Sequence, residues 1–425
     1  MSANNVSWTR VTSGYRASLA KHLLSLLVSL SPWFMFQPSY AEDPQDFLEV
    51  SSTISLEGAY RLSAPTQSPQ SEGRVVVSVP ISLNLKTLTG LELGSVSAQG
   101  LIIEEAAGAQ GALLNDAHAY SNLRAEDRVE LFELFWERSW SALTARLGKL
   151  DANDHFAVSE HESLLINGAS GYSPSIFGMP SYPDSAWSAQ LSFQSTRLDL
   201  SAGVFDGGST TLNPTPTGAR LWLSPSAYQG GLFYVAQVTG HLGALHSKEE
   251  LSSAEALLSP QQDREFSARA PLQLTLGAWT HRGEVYPQAD PSAPGLPSWG
   301  LYLTGDYTIA SLARGGELGL GFQGAVSPHY HPIHVSGALT WTEVIKPLGW
   351  AHVGPSLALG LSYLALSGEL QTLQLSDREQ LIELTANLPL SPSLATSLSW
   401  VTLSGARLDG AVAHLVVARL LLGVF

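Results

Sequence analysis

Cysteine is absent from this chain of 425 residues, and charged side chains are few. The absence of cysteine excludes disulfide bonds, zinc–thiolate sites and cysteine nucleophiles. Charged residues make up 14% of the chain, below the roughly 25% of an average soluble domain. Only 22 basic residues stand against 37 acidic ones, giving a formal charge of -15. This balance predicts no nucleic-acid partner, because phosphate binding needs a basic surface, and it favours neutral or cationic solutes.

The chain also lacks an apolar run long enough for a membrane-spanning helix. The run from Leu23 to Phe36 is 14 residues long and contains Pro32, whereas a spanning helix needs about 20 apolar residues. Three basic residues precede this run, and the small residues Ser39 and Ala41 follow it. This order is typical of a secretory signal peptide. We predict a signal peptide over residues 1–41 and a mature protein over residues 42–425. A buried or anchoring helix is the alternative.

Apolar residues recur with period two from about residue 48 onward, which is the pattern of β-strands. We count about 16 to 18 such segments of roughly ten residues, as a membrane barrel requires. In an outer-membrane barrel the apolar face meets lipid and the polar face lines water. Aromatic residues near segment ends are typical of its interfacial girdles; they are Trp279, Tyr302, Tyr307, Trp341, Tyr363 and Trp400.

The connections between these segments differ in length. Short links occur at Ser139-Trp140, Ser195-Thr196 and Pro389 to Pro392, and longer Gly-, Pro- and Ser-rich segments at Gly207 to Thr217, Ser247 to Ala268 and Glu284 to Ser298. The fold class predicted is all-β: a transmembrane antiparallel β-barrel of about 16 strands with short periplasmic turns and long external loops. A large secreted β-sandwich or propeller is the alternative.

Several segments of the first half resemble the OprB-type carbohydrate-selective porins of Gram-negative outer membranes. They are Asn115-Asp116, Tyr120 to Leu123, Val129 to Glu137, Arg146 to Asp151, Asn153 with Phe156, Leu164 to Pro174 and Ala202 to Gly207. The resemblance implies that sugars diffuse through a constriction made by inward-folded loops, without catalysis, cofactor or energy input. The terminal strand ending at Phe425 resembles the signal that the outer-membrane assembly machinery reads.

Alternation on the strand from Leu131 to Arg138 predicts which side chains reach the lumen. It places Glu133, Phe135 and Glu137 in the lumen and Phe132, Leu134 and Trp136 against lipid. Carboxylates beside an aromatic ring suit a sugar, whose hydroxyls bond to charged acceptors and whose C–H face stacks on the ring. The candidate pore-lining or sugar-contact residues are Glu133, Phe135, Glu137, Arg146, Asp151 and Asp154, with Arg146 opposite Glu133 or Glu137. Alternatively, these charges only hydrate a wide pore and pair with one another.

Other motifs do not predict a catalytic or metal site. Gly319 to Gly324 matches G-x-G-x-x-G but is not followed by a helix, so its glycines are predicted to be small luminal positions. His329, His331 and His334 lie around Pro332 without a regular face, so no metal site is predicted there. Asp151, Asn153 and Glu162 have the spacing of a calcium loop, yet Phe156 stands where glycine is required. Calcium bound in a loop is left open.

The predicted function is an outer-membrane porin for facilitated diffusion of small, glucose-like carbohydrates. One alternative is a general diffusion porin without sugar selectivity, and another is an outer-membrane or secreted carbohydrate-binding or hydrolysing β-protein. The predicted partners are small neutral carbohydrates, outer-membrane lipid and lipopolysaccharide, and the assembly machinery. A monomer and a homotrimer both remain open. No enzyme activity is predicted, because Glu133 and Glu137 lie roughly 13 Å apart along a strand, too far for a glycosidase pair.

Overall fold

The computed structural model describes most of the chain after residue 47. The described ranges are 48–63, 71–105, 118–125, 127–176, 178–207, 219–220, 231–243, 272–285, 296–312, 316–328, 332–343, 354–366, 377–391, 393–405 and 412–424. The predicted signal peptide, Asn115-Asp116 and Phe425 lie outside these ranges.

The described residues form eighteen strands and three short helical turns. The strands are β1 (Leu48–Val50), β2 (Ser52–Ser63), β3 (Ser71–Asn84), β4 (Ser95–Glu105), β5 (Arg128–Trp140), β6 (Leu143–Leu150), β7 (Ala186–Phe193), β8 (Leu198–Asp206), β9 (Ala219–Arg220), β10 (Leu232–Leu242), β11 (Leu272–Val285), β12 (Leu296–Ser311), β13 (Glu317–Val326), β14 (Ile333–Thr342), β15 (Ser356–Ala365), β16 (Arg378–Ser391), β17 (Leu394–Gly405) and β18 (Val412–Val424). The helical turns are α1 (Leu85–Thr89), a 3₁₀ turn (Glu162–Leu164) and α2 (Gly168–Gly171).

Sixteen of these strands close into one antiparallel barrel. Each barrel strand pairs with the next in the chain, β8 pairs with β10, and β18 pairs with β2 to close the ring. The two remaining strands are short: β1 pairs with β3 where β2 no longer does, and β9 lies parallel to the start of β5. Closure leaves no open sheet edge among the barrel strands, as the membrane demands. The predicted fold class is therefore confirmed.

Strand alternation separates an apolar outer face from a largely polar inner face. The outward-facing leucines of the alternating runs are exposed on the outside of the wall; among them are Leu276, Leu301, Leu320, Leu359 and Leu361. The inward-facing positions of the same strands carry Thr275, Thr304, Gln323 and Ser362. This arrangement, apolar outside and polar inside, is that of a barrel in lipid. Among the described residues, no helix has the length and apolar character to cross a membrane.

Two of the predicted girdle aromatics face the lumen instead. Trp279 and Tyr302 are 3% and 2% exposed and pack together inside the barrel, whereas Tyr307, Trp341, Tyr363 and Trp400 are exposed on the outer face as predicted. Phe132, predicted to face lipid, is buried against Tyr182. The reason is a β-bulge in β5: Gln99 pairs with Glu133 and Gly100 with Leu131, so residue 132 is extra and alternation restarts there.

The two rims of the barrel differ. The turns at 141–142 and 194–197 lie at one end, here called the turn rim, and β6 and β8 run from it to the opposite loop rim. The segments from Gly207 and after Glu284 leave the loop rim, as predicted. Ser247 to Ala268 lies outside the described residues, but β10 before it ends at the turn rim, where the His241 N–H donates to the Arg197 carbonyl. Connection length therefore does not separate the rims completely.

Candidate functional site

Two stretches of chain enter the barrel lumen. The long inner segment, residues 151–185, connects β6 to β7, and the short inner segment, residues 118–125, precedes β5. The 3₁₀ turn of the long inner segment contacts β14 and β15. Because β15 is the eighth strand from β6 in either direction around the ring, the long inner segment crosses the whole lumen. The two segments also bond to each other, with the Gly168 N–H 2.6 Å from the Ala119 carbonyl oxygen.

Carboxylates on the barrel wall hold the long inner segment in place. The Glu383 carboxylate on β16 accepts hydrogen bonds from the Ile166 and Asn167 backbone N–H groups at 2.6 and 3.1 Å, and from the Asn167 Nδ2 at 2.7 Å. Asp306 on β12 accepts from the Ser159 hydroxyl at 2.8 Å and from the His161 N–H at 3.0 Å. Charge-assisted bonds of this kind contribute about 1.5–3 kcal/mol each.

The short inner segment is held in the same way. The His118 backbone N–H and its Nδ1 lie 3.1 and 2.9 Å from Glu379 Oε2 on β16, and the His118 Nε2 lies 2.9 Å from the Ser362 hydroxyl on β15. The Ser121 hydroxyl donates to Glu57 on β2 at 2.7 Å, and Arg419 of β18 pairs with the same carboxylate at 2.7 Å. Part of the acidic excess of the chain therefore serves to anchor the lumen segments.

These anchors were missed by sequence reasoning, although one signal for them exists. Glu379 and Glu383 stand four positions apart on one strand, so they share the luminal face. Carboxylates repeated on the inner face of a strand, in a chain with few charges, indicate partners inside the barrel.

Glycines of the wall let the long inner segment approach closely. A Cβ added to Gly319 would lie 2.0 Å from the His161 ring, and one added to Gly360 would lie 2.3 Å from Leu165. Gly321 is occupied in the same way by Ser159 and His161. The prediction of small luminal positions is thus confirmed for Gly319 and Gly321, where larger side chains would push the segment off the wall. It is wrong for Gly324, which pairs with the exposed Val335 on the outer face.

Two of the predicted sugar-contact residues are buried at the start of the long inner segment. Glu133 accepts the Asp151 backbone N–H at 2.9 Å. Asp151 in turn accepts the N–H groups of Asn153 and Tyr182 at 2.8 and 2.9 Å. Burial, together with the nearby Asp154 carboxylate, raises the pKa of Asp151 well above its usual range. Both carboxylates support the backbone where β6 turns into the lumen.

The other four candidates lie around an ion pair that reaches solvent. Arg146 on β6 pairs with Glu137 on β5, and their side chains are 17% and 31% exposed. Asp154 is exposed, while Phe135 is half-buried against the apolar cluster inside the barrel. Phe135 stands opposite Gly148, whose φ of 142° favours glycine, and an added Cβ there would lie 2.6 Å from the Phe135 Cα.

The residues with calcium-loop spacing do not come together as ligands. The Asp151 oxygens bind backbone N–H groups, whereas Glu162 Oε2 bonds to Gln323 of β13 at 2.5 Å and to Ser336 of β14 at 2.8 Å. Burial raises the pKa of Glu162 to about 7, against the lowering effect of these two hydrogen bonds. No group of three or more His, Asp or Glu arranged for a metal ion occurs within the described ranges.

A cavity of about 150 Å³ opens between the long inner segment and the turn rim. Its lining is polar, with three carboxylates and two imidazoles; it consists of Glu160, His161, His241, Gln273, Asp306, Thr308 and Glu317. A solute that leaves the crossing segment toward the turn rim meets this acidic wall, which attracts cations and repels anions.

A closed sixteen-strand barrel, apolar outside and narrowed inside by inward-folded segments, defines a porin of the outer membrane. The family of carbohydrate-selective porins, OprB, matches residues 76–412, and the chain belongs to this family. Membership of a porin family confirms the outer-membrane location and the expectation that the chain is not an enzyme. No curated protein matches the sequence.

A solved porin structure has the same fold as this chain, and others match it more weakly. The high-pH structure of Pseudomonas putida OprB is 12% identical, with a TM-score of 0.67, over 89% of this chain and 94% of that one. The low-pH structure of the same porin has a TM-score of 0.49 at 10% identity, over 89% of this chain and 93% of the other. A triple mutant of Rhodopseudomonas blastica porin has a TM-score of 0.46 at 9% identity, over 88% and 99% of the two chains.

Proposed function

We propose that small neutral, glucose-like sugars cross this barrel by facilitated diffusion past the Glu137–Arg146 ion pair. The observation that carries the proposal is that some luminal charges bind the inner segments and others face solvent. Glu383 and Glu379 are committed to anchoring the inner segments, while the Glu137–Arg146 pair and Asp154 face solvent.

The chemistry of this group suits a sugar. A carboxylate accepts and a guanidinium donates hydrogen bonds, so the pair offers both functions to the hydroxyls of a polyol. Phe135 lies two residues before Glu137 on the same face of β5. It presents an apolar ring to the C–H face of the sugar. Each hydrogen bond between the sugar and the protein replaces one to water, so the net gain in binding free energy is small. Weak binding lets the sugar leave the site and continue through the pore. In this proposal Glu133 and Asp151 contribute indirectly, by fixing the start of the long inner segment beside the path.

Single-channel conductance of the refolded protein in a planar bilayer tests the proposal. Glucose and maltose titrated into the chamber should reduce the conductance saturably, because a bound sugar obstructs the ion path. Glu137→Gln should weaken this block several-fold, since it removes the charge of the acceptor and leaves the charged Arg146 without its ion-pair partner.

Glu104→Gln is the matched control, because Glu104 is an exposed carboxylate on β4 and the chemical change is the same. Glu104→Gln should leave the block unchanged. Conductance that sugars do not affect would mean a general diffusion porin, and the absence of conductance would refute passage through this lumen.

We also propose which partners the outer face and the terminal strand of the barrel contact. The apolar outer face would meet outer-membrane lipid and lipopolysaccharide. The terminal strand, described here to Val424, would be read by the assembly machinery. Removal of Phe425 should lower the amount of folded protein in outer membranes, and unchanged amounts would exclude this role.

A further inference from the structure

The outer surface at the turn rim carries apolar side chains beyond the ends of the strands. The connection between β3 and β4, residues 85–94, contains α1 and buries none of the α1 residues. Leu88 and Leu91 are 56% and 60% exposed, and Leu93 is also exposed. Exposed leucines clustered on one short connection are unusual where only water is the neighbour.

This connection joins directly onto the lipid-facing belt of the barrel. The Trp136 indole N–H, on the outer face of β5, donates to the Leu93 carbonyl at 2.7 Å. Trp136 packs edge-to-face on Trp140 at 6.3 Å between ring centroids. Leu48 and Val50 of β1 and Ile81 of β3 continue the exposed apolar surface around the same rim. The surface is therefore an extension of an interface that already contacts lipid.

Charged groups occupy the positions that a phospholipid headgroup would need. Arg138 lies on the same outward face of β5, with its guanidinium carbon 4.9 Å from the Trp140 ring centroid. An arginine on the lipid side of a wall extends its charge toward the headgroups and their phosphates. Lys86 and Glu92 of the connection form an ion pair with each other, which reduces the cost of holding both charges close to the bilayer.

We propose that residues 85–94, with Trp136, Arg138 and Trp140, form an interfacial anchor in the membrane leaflet at the turn rim. The leucines enter the boundary between acyl chains and headgroups, the tryptophans lie at headgroup level, and Arg138 binds a phospholipid phosphate. The occupant of this surface is thus membrane phospholipid. The anchor fixes the depth and rotation of the barrel at the rim that carries the acidic cavity.

Single-cysteine labelling tests the anchor, because the natural chain has no cysteine. Leu91→Cys and Thr196→Cys would each carry an environment-sensitive fluorophore in protein refolded into phosphatidylethanolamine–phosphatidylglycerol vesicles. Thr196 is the matched control, since it is exposed in a turn at the same rim. We expect brominated lipids to quench the Leu91 label several-fold more than the Thr196 label, and aqueous iodide to do the reverse.

Arg138→Gln in the Leu91→Cys background should reduce the quenching by brominated lipid while leaving the conductance unchanged. Equal iodide quenching of both labels would overturn the proposal, because it would place the connection in water. Shielding of the Leu91 label from iodide and lipid quenchers alike would also overturn it, because a second copy of the chain would then cover the surface.

Discussion

Loss of the Glu383 carboxylate should release the long inner segment from the opposite wall. Glu383 is fully buried and accepts three hydrogen bonds from Ile166 and Asn167, two from backbone N–H groups and one from the Asn167 side chain. In Glu383→Ala these donors have no acceptor while the segment stays in place. Water reaches them only when the segment moves away.

The magnitude follows from the number of donors. A buried donor left without a partner costs about 1–3 kcal/mol, so three donors favour the detached state by at least about 3 kcal/mol. Since 1.4 kcal/mol corresponds to a tenfold change, the detached population should rise about a hundredfold. Glu383 also accepts from the Ser399 hydroxyl at 2.9 Å, but that contact lies within the wall and does not hold the segment.

Single-channel recording shows the change directly. Glu383→Ala should raise the mean conductance and the open-channel noise, because a detached segment no longer crosses the lumen, and it should weaken block by maltose. Gln380→Ala is the control, since Gln380 is exposed on the outer face of the same strand. If Glu383→Ala conducts and is blocked like the natural protein, the carboxylate does not anchor the constriction.

Three further predictions concern the same lumen. Gly319→Ala should detach the segment at the His161 contact and raise conductance, whereas Gly324→Ala, where an added Cβ meets atoms no closer than 3.5 Å, should not; equal effects would contradict the close-approach argument. The pKa of Glu162 is about 7 in the folded chain against an ordinary 4.5, so its contribution to stability is present below pH 4.5 and lost as pH rises through 7. That loss is at most about 3 kcal/mol, and urea unfolding midpoints should fall more over this interval in the natural protein than in Glu162→Gln, where Asp151, whose pKa is also raised, still titrates. Glu317→Gln should reduce the cation preference measured by reversal potential under a salt gradient, and an unchanged potential would show that the acidic cavity is off the ion path.

The wall of the barrel could be predicted because alternation is a local property of the sequence. The same alternation also shows that two of the predicted girdle aromatics face the lumen. Leu274 and Leu276 face outward, so Trp279 on the opposite parity had to face inward, and Tyr302 lies between the outward-facing Leu301 and Leu303. The inward position of Phe132 could not be predicted in this way, because a bulge leaves no mark in the alternation of a single strand.

The inner segments of the site could be recognised from the sequence, but the wall residues that hold them could not. The motifs from Tyr120 to Leu123 and from Asn153 to Pro174, recognised by resemblance, turn out to form the two inner segments. Their partners could not be predicted, because the bonds join residues 261 positions apart at His118–Glu379 and 216 apart at Asn167–Glu383. Arg146 was placed opposite a carboxylate correctly, and the strand register selects Glu137 over Glu133.

Swelling of liposomes that contain the purified protein shows whether neutral sugars pass the lumen in preference to anions. Isotonic glucose and gluconate, which are similar in size but differ in charge, would be compared in the same vesicles. We expect rapid swelling in glucose and much slower swelling in gluconate, because the lumen admits neutral sugars past carboxylates that repel anions. Equal rates for the two solutes would contradict selective sugar passage, and an absence of swelling in both would contradict passage altogether.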